Sequence, residues 1–416
     1  MAKENKDLVV GLDIGTSKVM AVVAEVQEDS ALKVLGLGVA PSNGMKRGVV
    51  VNIDACVQSI QQAIREAEMM ANCKITRVIT GISGSHIRGR NSVGMVAVRD
   101  RDVTDYDIDK VIETARAINI GTDQRLLLAE SQEYVIDGQE VKEPFGMSGV
   151  RLEAKVHIVT CAQSAADNIL KCVRRCGLEV EHLMLNVMAS NYSCLTEDER
   201  ELGVVLVDIG AGTTDIAIFT GGALRHTAVL PVAGELITSD IAMALRTPTE
   251  DAEDIKRQHG CAKQLLADPE THIEVAGLSG RAPRLLSKQV LAGVIEPRVE
   301  EIFTLVQKEV QSSGFEHLVS SGVVLTGGSA TMPGMVELGE DIFLKPVRVG
   351  VPQYTGALAD MVTQARAAVV MGMLEDARQA QLMSYISHTA KKTSSGGDSF
   401  LKKLGSNIKS FITNNF

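Results

Sequence analysis

Two short stretches of this 416-residue chain carry residues suited to gripping an oxyanion. The first reads Asp13-Ile14-Gly15-Thr16-Ser17-Lys18, the second Asp208-Ile209-Gly210-Ala211-Gly212-Thr213-Thr214-Asp215. In each, an Asp precedes a Gly and hydroxyl residues follow at once. Glycine lets the backbone come close to a phosphate, and successive N–H groups with Thr or Ser hydroxyls can donate to it. Lys18 can add a point charge or, on the wrong side of a strand, face away. Anions do not bind carboxylates, so Asp13 and Asp208 beside such turns make best sense as holders of Mg2+ or its waters. A third stretch, Leu325-Thr326-Gly327-Gly328-Ser329-Ala330, ends an apolar run and leads toward a helix. Its bare backbone suits a ribose or a flat ring.

Taken singly, each Asp-Ile-Gly turn is an ordinary hairpin turn. Two of them in order, followed by TGGS, point instead to a nucleotide site. Competing motifs are missing: there is no G-x-x-x-x-G-K-[ST] and no G-x-G-x-x-G between a strand and a helix. The eight histidines show no H-E-x-x-H spacing, and no G-x-S-x-G elbow occurs.

The elements around these turns repeat. LVVGLDIGTSKVMAVVAEV (8–26) and LGVVLVDIGAGTTDIAIFTGGALRHTAVLPV (202–232) share one strand-turn-strand plan, which predicts two related halves. Helical spacing of apolar residues runs through 54–72, 165–176, about 235–260 and 287–313, and again in an Ala- and Met-rich segment within 354–381. Residues from about 84 to 161 read as a separate α+β piece, with strands at SVGMVAV and RLEAKVHIVTC and a helix opening at Thr104. This order implies an α/β fold with two cores and inserted subdomains.

Net charge is −10, which argues against nucleic acid as a partner of the body. Residues 387–416 depart from that balance with five lysines against Asp398, a sum of +4, leaving −14 for the rest. KKTSSGGD reads as a flexible linker, and SFLKKLGSNIKSFITNNF beyond it as an amphipathic helix. Phe400, Leu401, Leu404, Ile408, Phe411, Ile412 and Phe416 fall on one side of a helical wheel, with Lys402, Lys403 and Lys409 opposite. Such a helix is expected to lie on anionic membrane lipid, with docking to a protein as the competing reading. The start of the chain is too polar for a signal peptide, so a cytoplasmic protein is expected; its seven scattered cysteines are expected to be reduced.

The three motifs in this order resemble the actin/Hsp70/sugar-kinase superfamily, and most of the chain is similar to the FtsA family of bacterial cell-division proteins. The resemblance runs through SGVRLEAKVHIVTC, DAEDIKRQHGCA, VIEPRVEE and GVVLTGGSA to the tail. It implies an actin-like (ribonuclease H-like) two-domain ATPase fold with a family-specific inserted α+β subdomain. The function it implies is an ATP-binding protein that forms filaments on the cytoplasmic face of the bacterial cell membrane at the division septum. There it would anchor the tubulin-like FtsZ ring and help recruit other division proteins.

Domain boundaries follow from the same resemblance: a first core of 1–83 with 164–200, the inserted subdomain at 84–163, and a second core of 201–235 with 314–386. A docking subdomain for the FtsZ C-terminal tail would occupy 236–313, the linker 387–398 and the membrane helix 399–416. Carried onto this sequence, the phosphate clamps are Asp13, Gly15, Thr16, Ser17 and Lys18 with Gly210, Gly212, Thr213, Thr214 and Asp215; Asp208 lies near the metal. Gly327, Gly328 and Ser329 line the adenosine side. Glu253 and Lys256 of AEDIK reach the ribose or base, unless they are only an ion pair three residues apart on a helix surface. Arg284 and Arg298 match basic docking positions.

One departure bears on mechanism. Where related ATPases carry a Glu that positions the attacking water, LMLNVMASNYS offers Asn186, which cannot accept a proton. The enzyme implied is at most a slow ATPase, with nucleotide controlling assembly. Rival readings in the superfamily are a sugar kinase or chaperone, neither of which explains the tail, and a pilus-assembly adaptor.

Overall fold

The computed structural model describes residues 8–27, 30–118, 120–277 and 282–393. Its centre is two five-stranded sheets of one topology. In the first, strands Leu8–Ile14, Lys18–Val26 and Leu32–Pro41 form an antiparallel meander; Arg77–Ile82 and Glu179–Leu185 then add parallel to the Leu8–Ile14 side. In the second, Val204–Ile209, Thr214–Thr220 and Ala223–Leu230 form the meander, with Val323–Thr326 and Val347–Val349 parallel beside it. The repeated plan in the sequence is therefore a repeated fold.

These central strands read as unbroken apolar runs because both faces are covered. Val10, Leu12 and Ile14 pack toward Ile60 and Ile64 of the helix Ile53–Ala71, whereas Val9 packs with Met371, Met373 and Leu374 of the last helix. The second sheet turns Val205, Val207, Ile216 and Ile218 toward the helices Gly234–Leu245, Lys288–Ser313 and Met335–Phe343. Small residues set the closest approaches. A methyl on Gly372 of the last helix would meet the Ala189 carbonyl oxygen at 1.7 Å, so that helix lies backbone to backbone on the helix Asn186–Cys194. All seven cysteines are free thiols.

The helix expected near the end spans Ala368–Thr393 and so runs into the stretch read as a linker from 387. The physical reason is the lack of a breaker: the first glycines there are Gly396 and Gly397. Residues 394–416, including the whole membrane-helix assignment, lie outside the described residues.

Between the strands Arg77–Ile82 and Glu179–Leu185 the chain builds an antiparallel sheet of Arg88–Ala97, Arg151–Ala162, Gln124–Ile136 and Gln139–Val141. The helix Asp105–Arg116 covers it and opens at Thr104 as expected, with a capping box there: the Thr104 N–H donates to Asp107 Oδ2 at 3.0 Å. This sheet rests on the edge strand of the second core. Gln132 Nε2 donates to the Leu224 carbonyl at 2.8 Å, and Arg225 pairs with Glu133. His157, only 1% exposed, sits between Asn91 Oδ1 at 2.6 Å and Thr227 Oγ1 at 2.9 Å.

Burial, with repulsion from His226 second, pushes the His157 imidazole from 6.5 down to about 4. The unfolded chain takes up a proton below about pH 6.5 that the folded chain refuses, so stability is full above that pH and is lost as pH falls toward 4. Between pH 7 and pH 5 the loss from this group is about 2 kcal/mol. His157→Gln, which keeps a donor and an acceptor without titrating, is expected to lose about that much less than the native chain over the same interval. Urea midpoints at the two pH values check this, and parallel slopes would remove His157 as the cause.

Candidate nucleotide-binding cleft

The two Asp-x-Gly turns face one another across the gap between the cores and are built alike. In the first, the Gly15 N–H donates to the Lys18 carbonyl at 2.9 Å; in the second, the Gly210 N–H donates to the Thr213 carbonyl at 2.9 Å. They approach so closely that a methyl on Gly212 would meet Thr16 Oγ1 at 2.5 Å and Arg47 Cα at 2.8 Å. Both turns, with Gly327, Gly328 and Ser329, line a cleft of about 1200 Å3. Glycine at 212 is a requirement of space here, beyond any need for backbone freedom.

Under the turns lies a floor of carboxylates. Asp13, Asp208 and Asp215 are all buried and all line the cleft. Lys18 turns inward and pairs with Asp13 at 2.8 Å, which settles the direction its sequence left open. Burial pushes Asp208 up to about 6 despite a 2.6 Å bond from the Ser190 hydroxyl, and Asp13 adds repulsion. Burial and then the Asp208 charge push Asp215 up to about 7, against hydroxyl bonds from Ser83 at 2.5 Å and Thr213 at 2.9 Å. Among the described residues, no three His, Cys, Asp or Glu side chains gather closely enough to hold a metal by themselves. A cation relieving this repulsion would keep waters and take further oxygens from a ligand, as Mg2+ does.

The third motif is tied to the second turn. Gly327 takes a left-handed φ of 88° beside Asp208, and Ser329 donates to the Gly210 carbonyl at 3.0 Å. Glu253 and Lys256 both line the cleft, but they are more than a surface pair. Lys256 is buried and donates to Glu253 Oε2 at 2.6 Å, Thr238 Oγ1 at 2.7 Å and the Gly234 carbonyl at 3.1 Å, bracing the start of the helix Gly234–Leu245. Thr214, expected among the phosphate contacts, faces elsewhere. One residue out of phase with Thr213 and Asp215 in its strand, it is fully buried, donates to the Val232 carbonyl at 2.7 Å and does not line the cleft. Asn186 lines the cleft at the start of its helix, with Oδ1 buried and unpartnered among the described residues.

Sequence reasoning passed over Ser83, Ser190 and the tip of the hairpin Met45–Val50. Ser83 had a usable signal: it follows directly on the carboxyl end of a parallel strand, where open α/β sheets place their ligands.

Comparison with known proteins decides the family. Residues 205–372 match the profile described as Cell division protein FtsA, and residues 84–160 match the SHS2 domain inserted in FTSA. The Cell division protein FtsA of Pseudomonas aeruginosa is 57% identical over 375 residues, 90% of each chain. This chain belongs to the FtsA family of cell-division proteins. Its fold is actin-like. Solved structures of the same fold include the PilM-PilN type IV pilus biogenesis complex, with 18% identity, TM-score 0.63 and coverage of 88% of this chain and 97% of that one. Another is MreB 5 of Spiroplasma citri bound to AMPPNP, with 14% identity, TM-score 0.55 and coverage of 92% and 99%. At such identities these two speak for fold alone, so a pilus role gains no support.

The two basic positions expected at a docking surface sit differently in this FtsA-family chain. Arg298 is held by both Asp240 oxygens, at 2.6 and 3.1 Å, and by Glu301, bracing two helices. Arg284 donates to the Leu245 carbonyl and is exposed, beside Leu285 at 72% exposure. No helix among the described residues is long and apolar enough to cross a membrane.

Gly212→Ala is expected to weaken MgATP binding by at least tenfold, because the atoms it meets include backbone that cannot swing aside. Isothermal titration on the full chain measures this, and an unchanged dissociation constant would place the ligand away from the two turns.

Proposed function

We propose that this FtsA-family protein binds ATP with Mg2+ in the cleft, assembles into actin-like filaments on the inner face of the cell membrane, and anchors the FtsZ ring there while helping to recruit later division proteins. The observation that carries the nucleotide reading is the pair of matching turns poised over buried carboxylates. Thr16, Ser17 and the N–H groups of 211–213 grip the phosphates, and Gly327 to Ser329 with Glu253 border the nucleoside. Asp13 and Asp208 would hold Mg2+ or its waters, with Asp215 also lining the cleft, and the cation would supply positive charge that phosphate and carboxylates share. Asn186 can orient a water but not deprotonate it, so nucleotide acts chiefly as a ligand that favours one assembled state.

The membrane reading rests on the sequence of 399–416. Its apolar side chains bury in the lipid interface, and each lysine adds roughly 1 kcal/mol on anionic lipid. One copy of such a helix binds reversibly, and a filament multiplies it. Sedimentation with anionic liposomes in MgATP tests this directly. Deleting residues 399–416 is expected to leave the protein in the supernatant, and binding that survives the deletion would overturn the assignment.

For the FtsZ tail, Arg284 is the better candidate of the two arginines, since its charge has no carboxylate partner among the described residues whereas Arg298 is committed to Asp240. Arg284→Glu is expected to weaken binding of the tail peptide by about tenfold, the scale of one well-placed charge. ATP affinity should stay the same; equal tail affinity in both proteins would move the docking site elsewhere.

A further inference from the structure

Between the two phosphate turns stands an element that no motif singled out, the hairpin of Met45–Lys46 and Val49–Val50. Its linking residues Arg47 and Gly48 both take left-handed backbone, with φ of 48° and 77°. Consecutive positive φ values make the tight two-residue turn that suits strand twist, and its first position favours Asn or Gly. Arginine there carries strain that those residues would avoid. An outlier of this kind is a reason to ask what the side chain does.

The tip is wedged between the clamps. The Gly48 N–H donates to Thr16 Oγ1 at 3.2 Å, and a methyl on Gly48 would meet the Ser83 carbonyl at 2.8 Å. On the other side the Arg47 backbone lies against Gly212. Beside the second turn the hairpin borders an open pocket of about 190 Å3, whose lining includes the exposed Lys46 and Arg47 together with Ala211, Gly212 and Glu235. Neither basic side chain has an ion-pair partner among the described residues, in a chain of net charge −10. Against the single carboxylate of Glu235 they leave the lining at +1. The pocket shares Ala211, Gly212 and Glu235 with the main cleft, so an anion in it would touch the second turn.

We propose that Lys46 and Arg47 form a phosphate-recognition site beside the second turn. Its ligand is a phosphoryl group, either the terminal one of a nucleoside triphosphate or a free phosphate beside a diphosphate. The proposal rests on the nucleotide reading above and adds to it a means of telling triphosphate from diphosphate. Because the tip contacts Thr16 in one half and Gly212 in the other, occupancy of this site bears on how the two halves are held together.

The test uses the full chain and competition against a fluorescent ATP analogue in Mg2+, with ATP, ADP and AMP as competitors, and ADP repeated in millimolar inorganic phosphate. Arg47→Asn relaxes the turn while removing the cation; Lys46→Gln leaves the turn alone. Each is expected to cut the preference for ATP over ADP by about tenfold while AMP affinity holds. If the site reads free phosphate, phosphate tightens ADP binding in the native protein and not in Arg47→Asn. If it reads only the nucleotide's own phosphoryl group, phosphate has no effect and the ATP preference still falls. Native ratios and native phosphate response in both variants would overturn the proposal. Absence of adenine-nucleotide binding by the native protein would instead overturn the reading on which it rests.

Discussion

Like charges held together under low dielectric organise this molecule. Asp13, Asp208 and Asp215 come from both cores and are buried together, and desolvation with repulsion from neighbouring carboxylates makes ionisation of Asp208 and Asp215 costly. Serine and threonine hydroxyls and Lys18 offset part of that cost, and they do so across the gap: Ser83 of the first half donates to Asp215 of the second. A floor of this kind suits a ligand that brings both a cation and an anion. On the proposed reading the turns above it would supply N–H groups for the anion, and the carboxylates below would supply oxygens for the cation's water shell.

Duplication explains how such a floor arises. One sheet topology used twice presents the same end of the same strand pair at the cleft from either side, so an Asp-x-Gly turn in each half yields two facing clamps. The rest of the fold keeps the halves in register. The last helix lies against the first sheet at Gly11, and the inserted sheet leans on the edge strand of the second core through His157, Gln132 and Glu133. In an FtsA-family protein this gives the insertion a packed link to the second half, which forms one side of the cleft. A contact made on the insertion is thereby joined to the cleft by packed side chains rather than by a tether.

Local patterns were legible because their physics is local. Both turns, the TGGS element, the Thr104 cap and the helices at 53–71 and 288–313 depend on residues within a few positions of one another. Where the reading failed, the deciding partner was remote in sequence. Thr214 looked equivalent to Thr213, yet strand alternation and the Val232 carbonyl turn it away from the cleft. Arg298 was expected at a docking surface from the resemblance alone, and its partner Asp240, 58 positions away in sequence, could not be read from it.

The sequence by itself determined the duplicated plan, the residue types at the two turns and the family. Glycine, hydroxyl and carboxylate at one turn fit an ordinary hairpin, and it is their repetition in order, followed by TGGS, that points to a nucleotide site. Only the tertiary structure decided which carboxylates share one floor, that Lys18 faces inward, that Lys256 is a buried brace, and that the hairpin Met45–Val50 inserts its tip between the clamps. Each of these depends on distances between segments far apart in the chain, and such distances are fixed by the packing of two cores, which no local pattern of residues encodes.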